Sequence, residues 1–141
     1  MRKRIRLTAL MLGLGLTTAL LPGGAAAGGF DGTANLVCAT VDVVACTDGP
    51  ACMQGQARVF DLPSFMFVDF ENKVIRATDE SGHKEVSPIR NSEQTKSQMI
   101  LQGVENHRGW SVAIDRQTGR MTVTSAGPDV SFMIFGSCTA L

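Results

Sequence analysis

The chain has 141 residues, 13 Lys+Arg against 13 Asp+Glu, 44% hydrophobic residues, four cysteines, one Trp and no Tyr. That length suits one ordinary domain rather than two, and the apolar fraction is too high for a disordered chain. A formal charge of zero gives no basis for general nucleic-acid binding, which needs clustered Lys and Arg to displace counterions from phosphates.

The charges are unevenly placed. Arg2, Lys3, Arg4 and Arg6 precede an uncharged run from Leu7 to Leu21, then Pro22-Gly23-Gly24 and the small-residue tract Ala25-Ala26-Ala27. A basic start, a short apolar stretch and an A-x-A-like site read as a secretory signal peptide, with cleavage placed after Ala27. The run is shorter than the roughly 20 residues that cross a bilayer as a helix, so no stable membrane anchor is expected after cleavage. A lipoprotein does not fit, because Cys38 follows Asn35-Leu36-Val37 rather than a small residue. The expectation is a leader over 1–27 and a single domain over 28–141, in the bacterial periplasm or secreted. Four basic residues leave with the leader, so nine Lys and Arg then stand against 13 Asp and Glu. That mild acidity argues against nucleic acid or anionic lipid as partner and slightly favours a basic one.

Cys38, Cys46, Cys52 and Cys138 all lie beyond the leader. An even number in a short exported chain reads as a disulfide framework. Between Cys46 and Cys52 the segment Thr47-Asp48-Gly49-Pro50-Ala51 carries a turn signal, which favours that pair and leaves Cys38 with Cys138. The second bridge ties the first strand to the last. No metal is expected, since no C-x-x-C spacing occurs and His83 and His107 are remote from the cysteines.

Along the mature segment, short apolar runs alternate with turn signals and no period of 3.6 is sustained, which predicts an all-β chain. The opening strand is Leu36 to Ala45. Beyond the cysteine loop, Ala57 to Phe60 reads as a short strand before Pro63, and Phe65 to Phe70 and Val74 to Thr78 as the next two. Lys84 to Ile89 is a weak strand damaged by Pro88, and the polar stretch Arg90 to Ser97 reads as a loop. Gln98 to Glu105 and Trp110 to Asp115 form a hairpin around Asn106-His107-Arg108-Gly109; Arg120 to Ser125 and Val130 to Cys138 complete the set. Trp110, Val112 and Ile114 alternate with smaller or polar residues, giving one buried face on which Trp110 is core. Phe65 to Phe70 and Val130 to Phe135 carry large apolar residues on both faces, so their second side needs internal cover, a barrel lumen or a partner chain. The architecture expected is a small antiparallel barrel or flattened sandwich of about eight strands, with the Cys38–Cys138 bridge at its seam.

No nucleophile elbow, zinc-protease motif, P-loop, dinucleotide fingerprint or EF-hand spacing is present. His107 beside Arg108, with Glu105 and Asp115 nearby, could enter a triad, but no activated Ser or Cys accompanies it, so it reads as a solvated turn residue. Asp69, Glu71, Asp79, Glu80 and Glu85 could supply a carboxylate pair; carboxylates are common on any surface, so the pattern is unspecific. No cofactor and no enzymatic activity are expected. Met53, Met66, Met99 and Met133 read first as core fillers, with an adaptable apolar pocket as the alternative.

The layout of early cysteines Cys38, Cys46 and Cys52 and late Cys138 resembles small secreted proteobacterial β domains of unknown function. The most specific stretches are Leu101-Gln102-Gly103, Ile114-Asp115, Thr118-Gly119-Arg120 and Phe135-Gly136-Ser137-Cys138. The resemblance implies an exported β domain and carries no catalytic residues. A fainter likeness to periplasmic lysozyme-inhibitor barrels suggests, by analogy alone, inhibition of a cell-wall lytic enzyme. The function expected is non-enzymatic binding of a protein, envelope component or small apolar ligand, with a small hydrolase as the competing class. Candidate binding residues are Asn106, His107 and Arg108, presented on a hairpin tip, and Phe65 and Phe67 on a doubly apolar strand.

Overall fold

Alternation of apolar and polar residues along short runs, punctuated by turns, produces nine strands among the described residues: β1 (Leu36–Thr47), β2 (Cys52–Gly55), β3 (Phe65–Asp69), β4 (Val74–Ala77), β5 (Val86–Gln94), β6 (Gln98–Glu105), β7 (Arg108–Asp115), β8 (Arg120–Ala126) and β9 (Val130–Ala140). The computed structural model describes residues 29–47 and 51–141. The expected leader over 1–27 and the Asp48-Gly49-Pro50 turn lie outside the described residues. Every strand pairing is antiparallel, and β1 pairs with β9 from Leu36↔Ala140 to Thr47↔Val130, closing the sheet into an eight-stranded barrel. The other edge of β1 is shared: Leu36 to Ala39 pair with β3, and Val43 to Cys46 pair with β2, which lies outside the ring. A bulge at Val41, between the registered pairs Thr40↔Gly136 and Asp42↔Phe135, bends this long strand between its two partners.

Both disulfides join residues directly opposite each other. Cys38 and Cys138 are register partners across the β1–β9 seam and face the core; Cys46 and Cys52 are partners across β1 and β2. The pairing and the barrel are those expected.

Successive inward residues fill one end of the barrel completely. Leu36, Val68, Met99, Leu101, Ile114 and Met121 pack around the inner disulfide, and Phe30, 6% exposed, closes that end. The segment carrying Phe30 is held by Arg116 Nε donating to the Phe30 carbonyl (3.3 Å) and Gln94 Nε2 donating to the Asp31 carbonyl (2.6 Å). Gly119 makes room for this plug: it sits at φ +71°, and a Cβ there would lie 2.4 Å from Phe30 Cζ. Its turn is set by Asp115 Oδ1, which accepts hydrogen bonds from the Thr118 hydroxyl (2.8 Å) and from the Thr118 and Gln117 amides (2.8 and 3.0 Å). Those bonds hold the Asp115 carboxyl below its ordinary range.

Three local expectations are corrected. Ala57 to Phe60 is a 3₁₀ turn, not a strand; Asp61 ends it in the left-handed region (φ 53°), and the Leu62 amide donates to the Ala57 carbonyl. Burial of Ala57 docks the segment against the core as a turn. Arg90 to Gln94 continue β5 rather than forming a loop. Their polarity follows from pairing with β6 alone, because β4 pairs no further along β5 than Pro88. Pro88 is tolerated two residues from the bulge at Arg90, where the ladder is already irregular. Finally, the β6–β7 turn is only Asn106-His107, both at positive φ (47° and 63°), so Arg108 and Gly109 belong to β7. Positive φ at both central positions is the two-residue hairpin geometry that follows strand twist.

Removing the bridges separates their contributions. Cys38→Ala/Cys138→Ala opens a loop of 100 residues and should cost about 4–5 kcal/mol, whereas Cys46→Ala/Cys52→Ala should cost roughly 2 kcal/mol. Urea midpoints of the two double variants should fall in that order.

Candidate functional site

The end of the barrel opposite Phe30 is not filled. Here the inward positions of β3 to β9 surround a chamber of about 430 Å³. Its wall is apolar, formed by Met66, Ile75, Val112, Val123, Phe132 and Ile134, with Phe60, Leu62 and Pro63 of the 3₁₀ segment at the mouth. Phe60 meets Phe132 edge-to-face, with ring centroids 6.5 Å apart. An eight-stranded barrel has an interior just wide enough to be filled by side chains or to hold one small ligand. This one is filled at the Phe30 end and leaves a chamber at the other.

Polar groups gather on one side of the chamber, where β5, β6 and β7 end or begin. Along β6 the inward residues run Met99, Leu101, Gly103, Glu105; along β7 they run Arg108, Trp110, Val112, Ile114, with Glu105 and Arg108 in register across the turn. The Ser87 hydroxyl, buried on β5, donates to Glu105 Oε2. Burial, and secondarily the Glu85 carboxylate, push the Glu105 carboxyl above its ordinary value, with Arg108 opposing them. The Arg108 guanidinium lies 5.7 Å from the centroid of the Phe132 ring. It has no carboxylate within 4.0 Å and makes no side-chain hydrogen bond among the described residues. Its counterpart on the chamber, Arg76, is occupied by the Ala77 carbonyl and by Asp79 at 3.6 Å, and covers Phe67 at 4.5 Å. His83 Nδ1 stands 3.7 Å from Glu85 Oε2.

Trp110 is inward-facing and packed against the core, as its alternation with Val112 and Ile114 predicts, and it also lines the chamber. Its indole crosses the face of Gly103, its register partner: a Cβ on Gly103 would lie 2.3 Å from Trp110 Cζ2 and 2.5 Å from the Pro88 carbonyl oxygen. Trp110 Nε1 is buried without a hydrogen-bond partner, a donor whose desolvation is uncompensated.

The structure divides the sequence candidates into two groups. Asn106 and Arg108 line the chamber. His107 is exposed at the tip of the two-residue turn. Phe65 and Phe67 are on the outer wall, alternating with the inward Met66 and Val68; Phe65 is 50% exposed and Phe67 lies beneath Arg76. Met133 and Phe135 of β9 and the bulged Val41 are also exposed, so the second face of both doubly apolar strands points outward rather than into the lumen. Of the methionines, Met99 is core, Met66 lines the chamber, and Met53 and Met133 are exposed. Sequence reasoning missed Ser87 and Glu105 as chamber residues. A signal for Glu105 existed: counting inward from Met99 and Leu101 by twos places its carboxyl on the apolar face. Among the described residues, no group of three or more His, Cys, Asp or Glu could hold a metal ion, and no helix is long and apolar enough to cross a membrane.

No family model, curated protein or solved structure matches the chain.

Two variants test the geometry. Gly103→Ala should displace the indole and shift the emission of Trp110, the one Trp of the chain, while lowering the melting temperature. Glu105→Gln tests the polar corner by pH. Because folding raises the Glu105 pKa, the folded state binds more protons than the unfolded state between the ordinary and raised values, so this group's contribution is lost as pH rises through that window. Against the parent, Glu105→Gln should therefore gain relative stability as pH rises from acid to neutral, measured by urea titration at each pH.

Proposed function

We propose that this chain is an exported, non-enzymatic binding protein whose barrel chamber holds one small, largely apolar ligand. The single observation behind this reading is the open chamber of about 430 Å³ at one end of an otherwise filled barrel. Pockets of this size with apolar walls and a few convergent polar groups are the usual form of small-molecule sites, and barrel mouths are a usual place for them. Export is supported by the basic, apolar and small-residue succession over 1–27 and by two disulfides, which persist in oxidising compartments. Binding rather than catalysis is supported by the sequence, which carries no nucleophile elbow, zinc-protease motif, P-loop or dinucleotide fingerprint.

The neutral fluorophore N-phenyl-1-naphthylamine tests the chamber. Its emission should rise on 1:1 binding, and Ser125→Phe, which projects a ring from the rim of β8 into the cavity, should remove that rise while leaving the far-UV spectrum and melting transition intact. An unchanged response in Ser125→Phe would place the probe elsewhere, with the exposed wall of Val41, Phe65, Met133 and Phe135 the next surface to test. Export is tested by fractionating cells that express the full chain or a chain lacking residues 2–27; only the full chain should reach the periplasm with both disulfides formed.

A further inference from the structure

Resting on the chamber reading above, we propose that its ligand is an amphipathic monocarboxylate, with its tail inside the barrel and its carboxylate on Arg108. The argument starts from an imbalance of hydrogen-bonding groups. Arg108 carries five N–H donors, lies half-buried at the chamber, and uses none of them on side chains or carbonyls among the described residues. Trp110 Nε1, two residues along the same inward face, is a second donor without a partner. The acceptor nearest to them in the ladder, Glu105, accepts from the Ser87 hydroxyl and from neither of these two donors. The corner has surplus donors and one cation, and its complement is an acceptor that carries negative charge.

Desolvation makes the charge decisive. A ligand that fills the apolar wall and seals the mouth strips water from the Arg108 guanidinium, and an unpaired cation removed from water is costly. A neutral hydrocarbon leaves that cost standing. A carboxylate cancels it, because its two oxygens match the guanidinium fork. The groups of opposite sign around the corner limit the ligand to a single charge: Glu105 on β6, Glu85 ahead of β5 and Asp61 at the mouth all line the chamber, Glu85 being partly offset by His83. Size sets the tail. At roughly 30 Å³ for each water-sized group, a chamber of about 430 Å³ accepts a dozen or so non-hydrogen atoms.

Decanoate, 1-decanol and decyltrimethylammonium, each below its micelle-forming concentration, provide the test. Binding is read by calorimetry and by the emission of Trp110 at pH 7. Decanoate should bind 1:1 about tenfold tighter than 1-decanol, and decyltrimethylammonium weakest. Arg108→Gln should lose about that tenfold for decanoate and leave 1-decanol within about twofold. Glu105→Gln should act in the opposite direction, tightening decanoate but not 1-decanol, so the proposal stays testable even if Arg108→Gln fails to fold. Equal or tighter binding of 1-decanol, or an Arg108→Gln variant that holds decanoate as well as the parent, would overturn the carboxylate assignment while leaving the chamber as a site for apolar ligands. Failure of all three decyl probes to bind would overturn both.

Discussion

Closure of the sheet between β1 and β9 is the constraint on which the rest of the molecule depends. Without that seam the nine strands would form an open sheet with two exposed edges and no enclosed interior. With it, inward residues from every strand of the ring converge on one axis. The seam runs the full length of β9 and is pinned from inside by Cys38–Cys138. Few other places could join the two ends of the domain so economically, since a bridge spanning 100 residues restrains the unfolded chain far more than the local bridge between Cys46 and Cys52 does.

Unequal strand lengths then decide where the chamber lies. β1 extends past β3, and its far half is paired with the short β2 and overlain by the 3₁₀ turn that carries Phe60. Among the described residues, nothing equivalent to Phe30 enters the barrel at that end. The inner surface changes character along the axis, from Met99, Leu101 and Ile114 around the disulfide to Ser87, Glu105 and Arg108 at the mouth. A half-buried carboxyl with a raised pKa and an indole N–H without a partner each cost stability. A barrel selected for stability alone would fill that end with aliphatic side chains. Local departures from good packing of this kind concentrate where a protein meets something else.

Much of the fold was legible in the sequence because its signals are local. Alternation in β6, β7 and β8 and the turn residues between them gave those strands nearly to the residue, and the Asp48-Gly49-Pro50 turn signal selected the disulfide pairing. Non-local causes hid the rest. Arg90 to Gln94 are polar because β6 alone pairs with them, which can be seen only once β4 is known to stop short. Ala57 to Phe60 docks as a turn because the core has a place for Ala57, not because of its own pattern. The site was half legible. Asn106 and Arg108 stood out as polar groups beside a turn, but the turn is two residues shorter than its sequence suggests. That difference moves Arg108 from a solvent-facing tip to an inward position beside Trp110.

Amide hydrogen exchange of the oxidised domain, resolved residue by residue, tests the closed barrel most directly. In a closed ring both edges of β1 and β9 are paired, so the seam-facing amides of Val37, Ala39, Ser137 and Thr139, which flank the Cys38–Cys138 pair, should exchange as slowly as Leu101 and Val112 in the β6–β7 hairpin, through global unfolding alone. Fast exchange along one edge of β1 or β9, with β6 to β8 still protected, would show an open sheet and contradict the account.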